Sequence, residues 1–210
     1  MKNTGNMHPA VFNALHAPNQ EELEELYKVW AVNYDHDVVD LIGYVGHSIT
    51  TNLLVKYLHG TEAIILDAGC GTGLTGELLH EENFNNIVGV DFSQPMLDQA
   101  SKKNIYQSLF QADLTKTLEF EDNAFDAIVC AGVFTCGHVG PEALFELIRV
   151  IKAGGYIAFT MREQEWDLLP YDKTIVELEE KHLWRCLERF TKEYNVAEEV
   201  NCQLCIYQVC

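Results

Sequence analysis

No stretch of this chain stays apolar for the ~20 residues that crossing a bilayer requires, so no membrane-spanning helix is expected and a membrane is not an expected partner. The residues from Met1 to Pro9 contain no apolar core of the kind a secretory leader carries, and their single basic residue, Lys2, argues against a mitochondrial presequence. The cytoplasm is the expected compartment. Positive charge is scarce: 14 Lys and Arg stand against 32 Asp and Glu, a formal charge of -18. So acidic a chain is poorly suited to phosphate backbones, and nucleic acid is not an expected partner. The two close basic groupings, Lys102-Lys103 and Arg149-Lys152, read as solvated helix ends, because neither builds a stripe. Repeats, low-complexity tracts and interdomain linkers are also missing. The seven cysteines, with no leader to send them to an oxidising compartment, read as reduced thiols. Cys202-Gln203-Leu204-Cys205 has the spacing of a metal or redox pair, but no second pair stands nearby. The alternation of residues 200–210 is that of a strand, which points the two thiols to opposite faces, so no metal is expected.

What is present suits one globular domain. Hydrophobic residues make up 48% and charged residues 22% of 210 residues, enough chain to bury about 70% of its unfolded surface around one core. The most informative segment is Ile64 to Gly73, I-I-L-D-A-G-C-G-T-G. Ala63 to Leu66 is short and wholly apolar, the pattern of a parallel strand buried on both faces. Gly69, Gly71 and Gly73 then let backbone approach a ligand closely, and Leu74 to His80 continues with helical spacing, so a helix N-terminus faces that ligand.

Taken alone, Gly71 to Gly76 also fits the G-x-G-x-x-G turn of dinucleotide-binding folds. The following strands bear on the choice. Asn86 to Val90 is a second short strand ending at Asp91, placed to accept both hydroxyls of a ribose. Ser93-Gln94-Pro95 opens a helix with a side-chain cap and an early proline, and Met96 within it can lie against a flat base. Ser108 to Ala112 is a third strand, closed by Asp113, whose carboxylate can accept from an exocyclic adenine amine while the Leu114 N–H donates to a ring nitrogen. Asp67, beside the glycine turn, would repel a pyrophosphate and welcome an α-amino group, which favours a zwitterionic sulfonium cofactor over a dinucleotide.

The strings D-A-G-C-G-T-G (67–73), V-D-F-S-Q-P-M-L-D-Q-A (90–100), Q-A-D-L (111–114), F-D-A-I-V-C-A-G (125–132) and L-I-R-V-I-K-A-G-G-Y-I-A-F-T (147–160) resemble, in order, those of the class I S-adenosylmethionine-dependent methyltransferases. The resemblance covers roughly Glu25 to Arg162. It implies S-adenosyl-L-methionine as cofactor and S-adenosyl-L-homocysteine as product. It further implies a cofactor site drawn from Tyr34, Asp67, Ala68, Gly69, Cys70, Gly71, Gly73, Asp91, Phe92, Met96, Ala112, Asp113, Leu114, Cys130 and Ala131, with Tyr34 as a lid residue. Ala153 departs from the family's usual proline, in a turn remote from that site.

Along the chain, residues 1–18 read as a loose arm. Asn19 and Glu22 cap a first helix from about Gln20 to Val32, and 35–59 continue as helix with a break near Gly43 to Gly46; residues 1–60 thus form an arm and a helical cap. The core, 61–210, alternates strand and helix. Further strands are expected at Phe125 to Ala131, Tyr156 to Met161, Glu188 to Ala197 and Gln203 to Val209, with helices from Pro141 to Lys152 and from Tyr171 to Cys186. The expected fold is α/β: a Rossmann-like, seven-stranded, mostly parallel sheet with its last strand antiparallel, helices on both faces and an N-terminal helical cap.

Methyl transfer asks the protein to bind, align and exclude water, so no triad is expected, and none is visible. The expected activity is methyl transfer to a small molecule or a protein side chain. The alternative is a catalytically silent relative that holds the cofactor and works through a partner. Tyr34, His47 and His138 are the side chains placed to touch an acceptor. His138, in the loop after the fourth strand, is the candidate catalytic group, needed as a base only if the acceptor carries a proton.

Overall fold

The computed structural model describes residues 7–134, 139–163 and 170–210. Seven strands form one sheet in the order β3-β2-β1-β4-β5-β7-β6: β1 is Ile65–Ala68, β2 Ile87–Asp91, β3 Ser108–Gln111, β4 Phe125–Phe134, β5 Ile151–Arg162, β6 Trp184–Asn195 and β7 Val200–Val209. The pairs from β3 through β5 are parallel, and β7 runs antiparallel to both β5 and β6, as expected from the sequence.

Alternation along the strands builds two apolar layers. Leu66, Ala68, Ile128, Cys130, Ile157 and Phe159 face one layer, which α6 (Ala143–Val150) and α7 (Tyr171–Glu180) complete with Leu144, Leu147, Ile175 and Leu178. Ile65, Ala127, Val129, Ala158 and Leu204 face the other, covered by Leu53 and Leu54 of α3 (Gly46–Val55) and Leu79 of α4 (Leu74–Glu81). Most of these side chains are wholly buried, and at about 25 cal/mol per Å² of apolar surface such burial is what holds helices against both sheet faces. Cys202 and Cys205 also have no exposure, and Cys205 lies in the first layer. Burial raises the Cys202 thiol to about 12 and holds Cys205 higher still.

The N-terminal region is more ordered than its composition suggests. Residues 9–15 form α1 (Pro9–Leu15) rather than a loose arm, because Ala14 packs into an apolar cluster with Leu23, Trp30, Val38 and Ile42. α2 (Gln20–Trp30) is capped as expected, with the Glu22 N–H donating to Asn19 Oδ1 at 2.9 Å. A π-helical turn, His36–Leu41, follows, closed by the Ile42 N–H on the Asp37 carbonyl at 3.1 Å; the Trp30 Nε1–H pins the same Asp37 through its carboxylate at 2.8 Å. The Val45 N–H donates to the Tyr194 carbonyl at 2.9 Å, which ties this cap to the end of β6.

Other boundaries shift for identifiable reasons. The helix from Tyr171 stops at Glu180, since His182 takes a left-handed φ of 54° and the Leu183 N–H returns to the Leu178 carbonyl. That frees residues from 184 onward to begin β6 early. β4 runs past Ala131 to Phe134, and β5 begins at Ile151, where β4's Phe125 pairs with it. The helix α5 (Gln94–Lys102) lacks the expected serine cap. The Ser93 N–H donates to Asp91 Oδ1 at 2.9 Å, while the Ser93 hydroxyl is buried without a partner among the described residues.

A cavity at the switch point of the sheet

The strand order reverses between β1 and β4, and in open parallel sheets the ligand crevice lies beyond the strand ends at such a point. A cavity of about 190 Å³ opens there. The turn after β1 forms its floor. The N–H groups of Gly69 and Cys70 both donate to the Val90 carbonyl, at 2.8 and 2.9 Å, and fold the turn over the end of β2. Gly69, at φ 76°, lies where a Cβ would come within 2.2 Å of Val133 Cγ2. Gly71, at φ 53°, faces open space, so bare backbone lines the cavity at this point.

Asp91 ends β2 and stands on the cavity wall with 8% exposure. One carboxylate oxygen accepts from the Gly71 N–H at 2.9 Å and the other from the Ser93 N–H at 2.9 Å. The remaining lone pairs suit two ligand hydroxyls. Burial pushes its carboxyl up to about 6, against the pull of these N–H donors. On Asp113, burial acts upward too, but the hydroxyl and N–H of Thr115, with Lys116, outweigh it and hold the carboxyl below its usual range.

Of the expected cofactor residues, Tyr34, Gly69, Gly71, Asp91, Phe92, Met96, Ala112, Asp113, Leu114 and Ala131 line this cavity. Ala68, Cys70, Gly73 and Cys130 do not; Ala68 and Cys130 are wholly buried in the sheet. Asp67 also lies behind the wall, contrary to the picture of an acid facing the ligand. Strand alternation turns it to the side of Ile65 and Tyr106, where it has no exposure and accepts the Tyr106 hydroxyl proton at 2.7 Å. Its other oxygen has no partner among the described residues. The third glycine of the motif explains the arrangement: a Cβ on Gly76 would lie 2.3 Å from that same Tyr106 hydroxyl. Desolvation lifts Asp67 to about 7, with the Tyr106 hydrogen bond opposing and the charge of Asp91 adding to the rise.

Sequence reasoning passed over Gln20, Leu23 and Tyr27 of α2, which roof the cavity, and Gly132, Val133 and Val139, which close its side. Leu23 and Tyr27 read as the apolar face of a helix, and only the docking of α2 brings them and Gln20 to the cavity, whereas Gly132, Val133 and Val139 lie at the end and exit of the fourth strand, where the crevice is expected. The Gln20 amide reaches Asp113 at 3.5 Å, and Tyr27 sets its ring edge-on to Phe92 at 5.7 Å. Tyr34 packs on Trp30 at 4.8 Å as well as lining the cavity, and burial raises its hydroxyl well above the usual phenol range. His47 sits half-buried beside Tyr44, 5.3 Å between rings, outside the cavity, and burial lowers its imidazole. His138 lies outside the described residues. Lys102 is exposed in the last turn of α5, as expected of a solvated helix end, but Lys103 and Arg149 are held in ion pairs. Lys103 bridges Asp35, at 3.0 Å, and Glu77, while Asp35 also accepts the Thr72 hydroxyl, so the cap is tied to the glycine turn. Arg149 pairs with Asp122 and Glu146, each at 2.6 Å.

Among the described residues no group of three or more His, Cys, Asp or Glu converges as a metal site, and no helix is long and apolar enough to cross a membrane. Sheet order and the glycine turn at the switch point define an α/β domain of the Rossmann-like class. Residues 66–159 match the family model described as "Methyltransferase domain". Over 176 residues, 81% of this chain, the sequence is 33% identical to Methyltransferase-like protein 27 of Homo sapiens and spans 71% of that protein. It is 32% identical over 151 residues to the ubiquinone/menaquinone biosynthesis C-methyltransferase UbiE of Bdellovibrio bacteriovorus, covering 68% of this chain but only 62% of the relative. Among solved structures, the cyclase SpnF superposes with a TM-score of 0.69 at 15% identity, over 92% of this chain and 97% of the neighbour, a likeness of fold. The chain belongs to the methyltransferase-domain family.

Proposed function

We propose that the chain binds S-adenosyl-L-methionine in the switch-point cavity and transfers its methyl group to a small molecule or a protein side chain. The observation that carries this reading is the meeting of a bare glycine backbone, the two-oxygen acceptor Asp91 and the acid Asp113 around one cavity. Asp91 would take the ribose hydroxyls. Asp113 and the Leu114 N–H would meet the adenine edge, with Met96 and Phe92 against its faces. The acids on the cavity wall, Asp91 and Asp113, suit a ligand that carries an ammonium and a sulfonium.

The cofactor supplies an activated methyl and its own leaving group. What falls to this chain is to hold the donor, roof it with α2 and keep water from the reacting centre. The test is calorimetry with adenosylhomocysteine. Wild-type chain should bind it, and Asp91→Ala should lose at least tenfold in affinity while its circular dichroism stays unchanged; equal affinity would remove the ribose assignment. Release of adenosylhomocysteine when the loaded protein meets a metabolite extract tests turnover, and tight binding with lasting silence favours a non-enzymatic role through a partner.

A further inference from the structure

Beside the first cavity lies a smaller one, of about 70 Å³, and the two share Tyr27, Tyr34 and Gly132 as common wall. At its base stands Arg162, the last residue of β5, with 2% exposure. Among the described residues its buried Nε and Nη2 have no hydrogen-bond partner, and no carboxylate stands within ion-pair distance. An enclosed guanidinium edge without a partner among the described residues is costly, and such a group calls for an explanation. It is more conspicuous in a chain of net charge -18, where acids for pairing are abundant.

The geometry points to a ligand. Nε and Nη2 form one edge of the guanidinium and offer two parallel donors, the pattern that matches the two oxygens of a carboxylate. The flanking walls are rings: Trp30, Tyr44 and Tyr194, the last two crossing edge-on at 5.1 Å. The Tyr44 and Tyr194 hydroxyls converge on Gly132, within 2.8 and 3.2 Å of where a Cβ would stand, so only glycine leaves this passage between the cavities open. We propose that this second cavity is the acceptor subsite and holds a small carboxylic acid, its carboxylate on Arg162 and its apolar part between the rings, facing the donor cavity. The proposal rests on the methyltransferase reading for the direction of the substrate, while the anion site itself stands on Arg162.

The test uses the full chain, with and without adenosylhomocysteine, and matched probes read by calorimetry: benzoate against benzamide, phenylacetate against phenylacetamide, propionate against propionamide, and phenyl phosphate. At least one acid should bind tenfold or more tighter than its amide. Arg162→Gln should erase that preference while keeping the wild-type affinity for adenosylhomocysteine, and Arg162→Lys, which keeps charge without the fork, should restore part of it. Acids and amides binding alike to the wild type would overturn the proposal, whether or not the Gln variant folds. So would an acid preference that survives in Arg162→Gln, or phenyl phosphate outbinding every carboxylate. A wild-type chain that shows the acid preference but ignores adenosylhomocysteine would sink the methyltransferase reading and leave the anion site standing.

Discussion

Asp67→Asn should make the ligand-free protein more stable at alkaline pH relative to the wild type, because the native carboxylate is buried with a hydroxyl donor on one oxygen and, among the described residues, no partner on the other. Its carboxyl rises from 3.8 to about 7. A folded state that binds the proton more tightly than the unfolded chain loses stability as pH climbs from the unfolded value to the folded one, here from about 4 to 7, and the loss is complete above that window. At about 1.4 kcal/mol per pH unit, the full displacement is worth on the order of 4 kcal/mol. The asparagine is isosteric and still offers an oxygen to Tyr106, and whatever its unpaired amide costs does not change with pH. The difference in unfolding free energy between variant and wild type should therefore widen by roughly 2 to 3 kcal/mol from pH 5 to pH 8. Urea unfolding of the cofactor-free proteins, followed by tryptophan fluorescence, measures it; Trp184, stacked on Tyr207 at 4.1 Å, is a buried reporter. A difference that stays constant across that range would mean that Asp67 titrates normally, and the account of its burial would be wrong.

Leu144→Ala empties a fully buried position between α6 and the sheet and should cost about 2–5 kcal/mol in the same unfolding assay, without changing adenosylhomocysteine affinity once folded. Asp35→Ala removes the acceptor shared by Thr72 and Lys103 and should speed adenosylhomocysteine release several-fold in stopped-flow measurements, with the global stability reduced by no more than about 1 kcal/mol; an unchanged rate would mean that the cap does not gate the cavity.

The sheet was legible because its strands are short, apolar and punctuated. Ile65 to Ala68 is buried at every position, and only a strand covered on both faces reads that way. The cavity acids Asp91 and Asp113 were legible from their place at strand ends. Asp67 was not, since adjacency to a glycine turn says nothing about which face the side chain takes; the alternation of β1 and the ring of Tyr106, distant in sequence, decide it. The early residues misread as a loose arm show the same limit. α1 has little periodicity of its own and is held by Trp30 and Ile42, which no local pattern reveals. Arg162 passed unnoticed because what sets it apart is a buried guanidinium edge with no partner among the described residues, which no sequence pattern shows.

The contacts joining Asp35, Thr72, Lys103 and Glu77 couple the two cavities. The roof over the first cavity, and Trp30 and Tyr44 beside Arg162, belong to the same N-terminal cap, and that cap is fastened to the glycine turn. A change at the glycine turn is therefore felt in both cavities at once, through the cap that walls them.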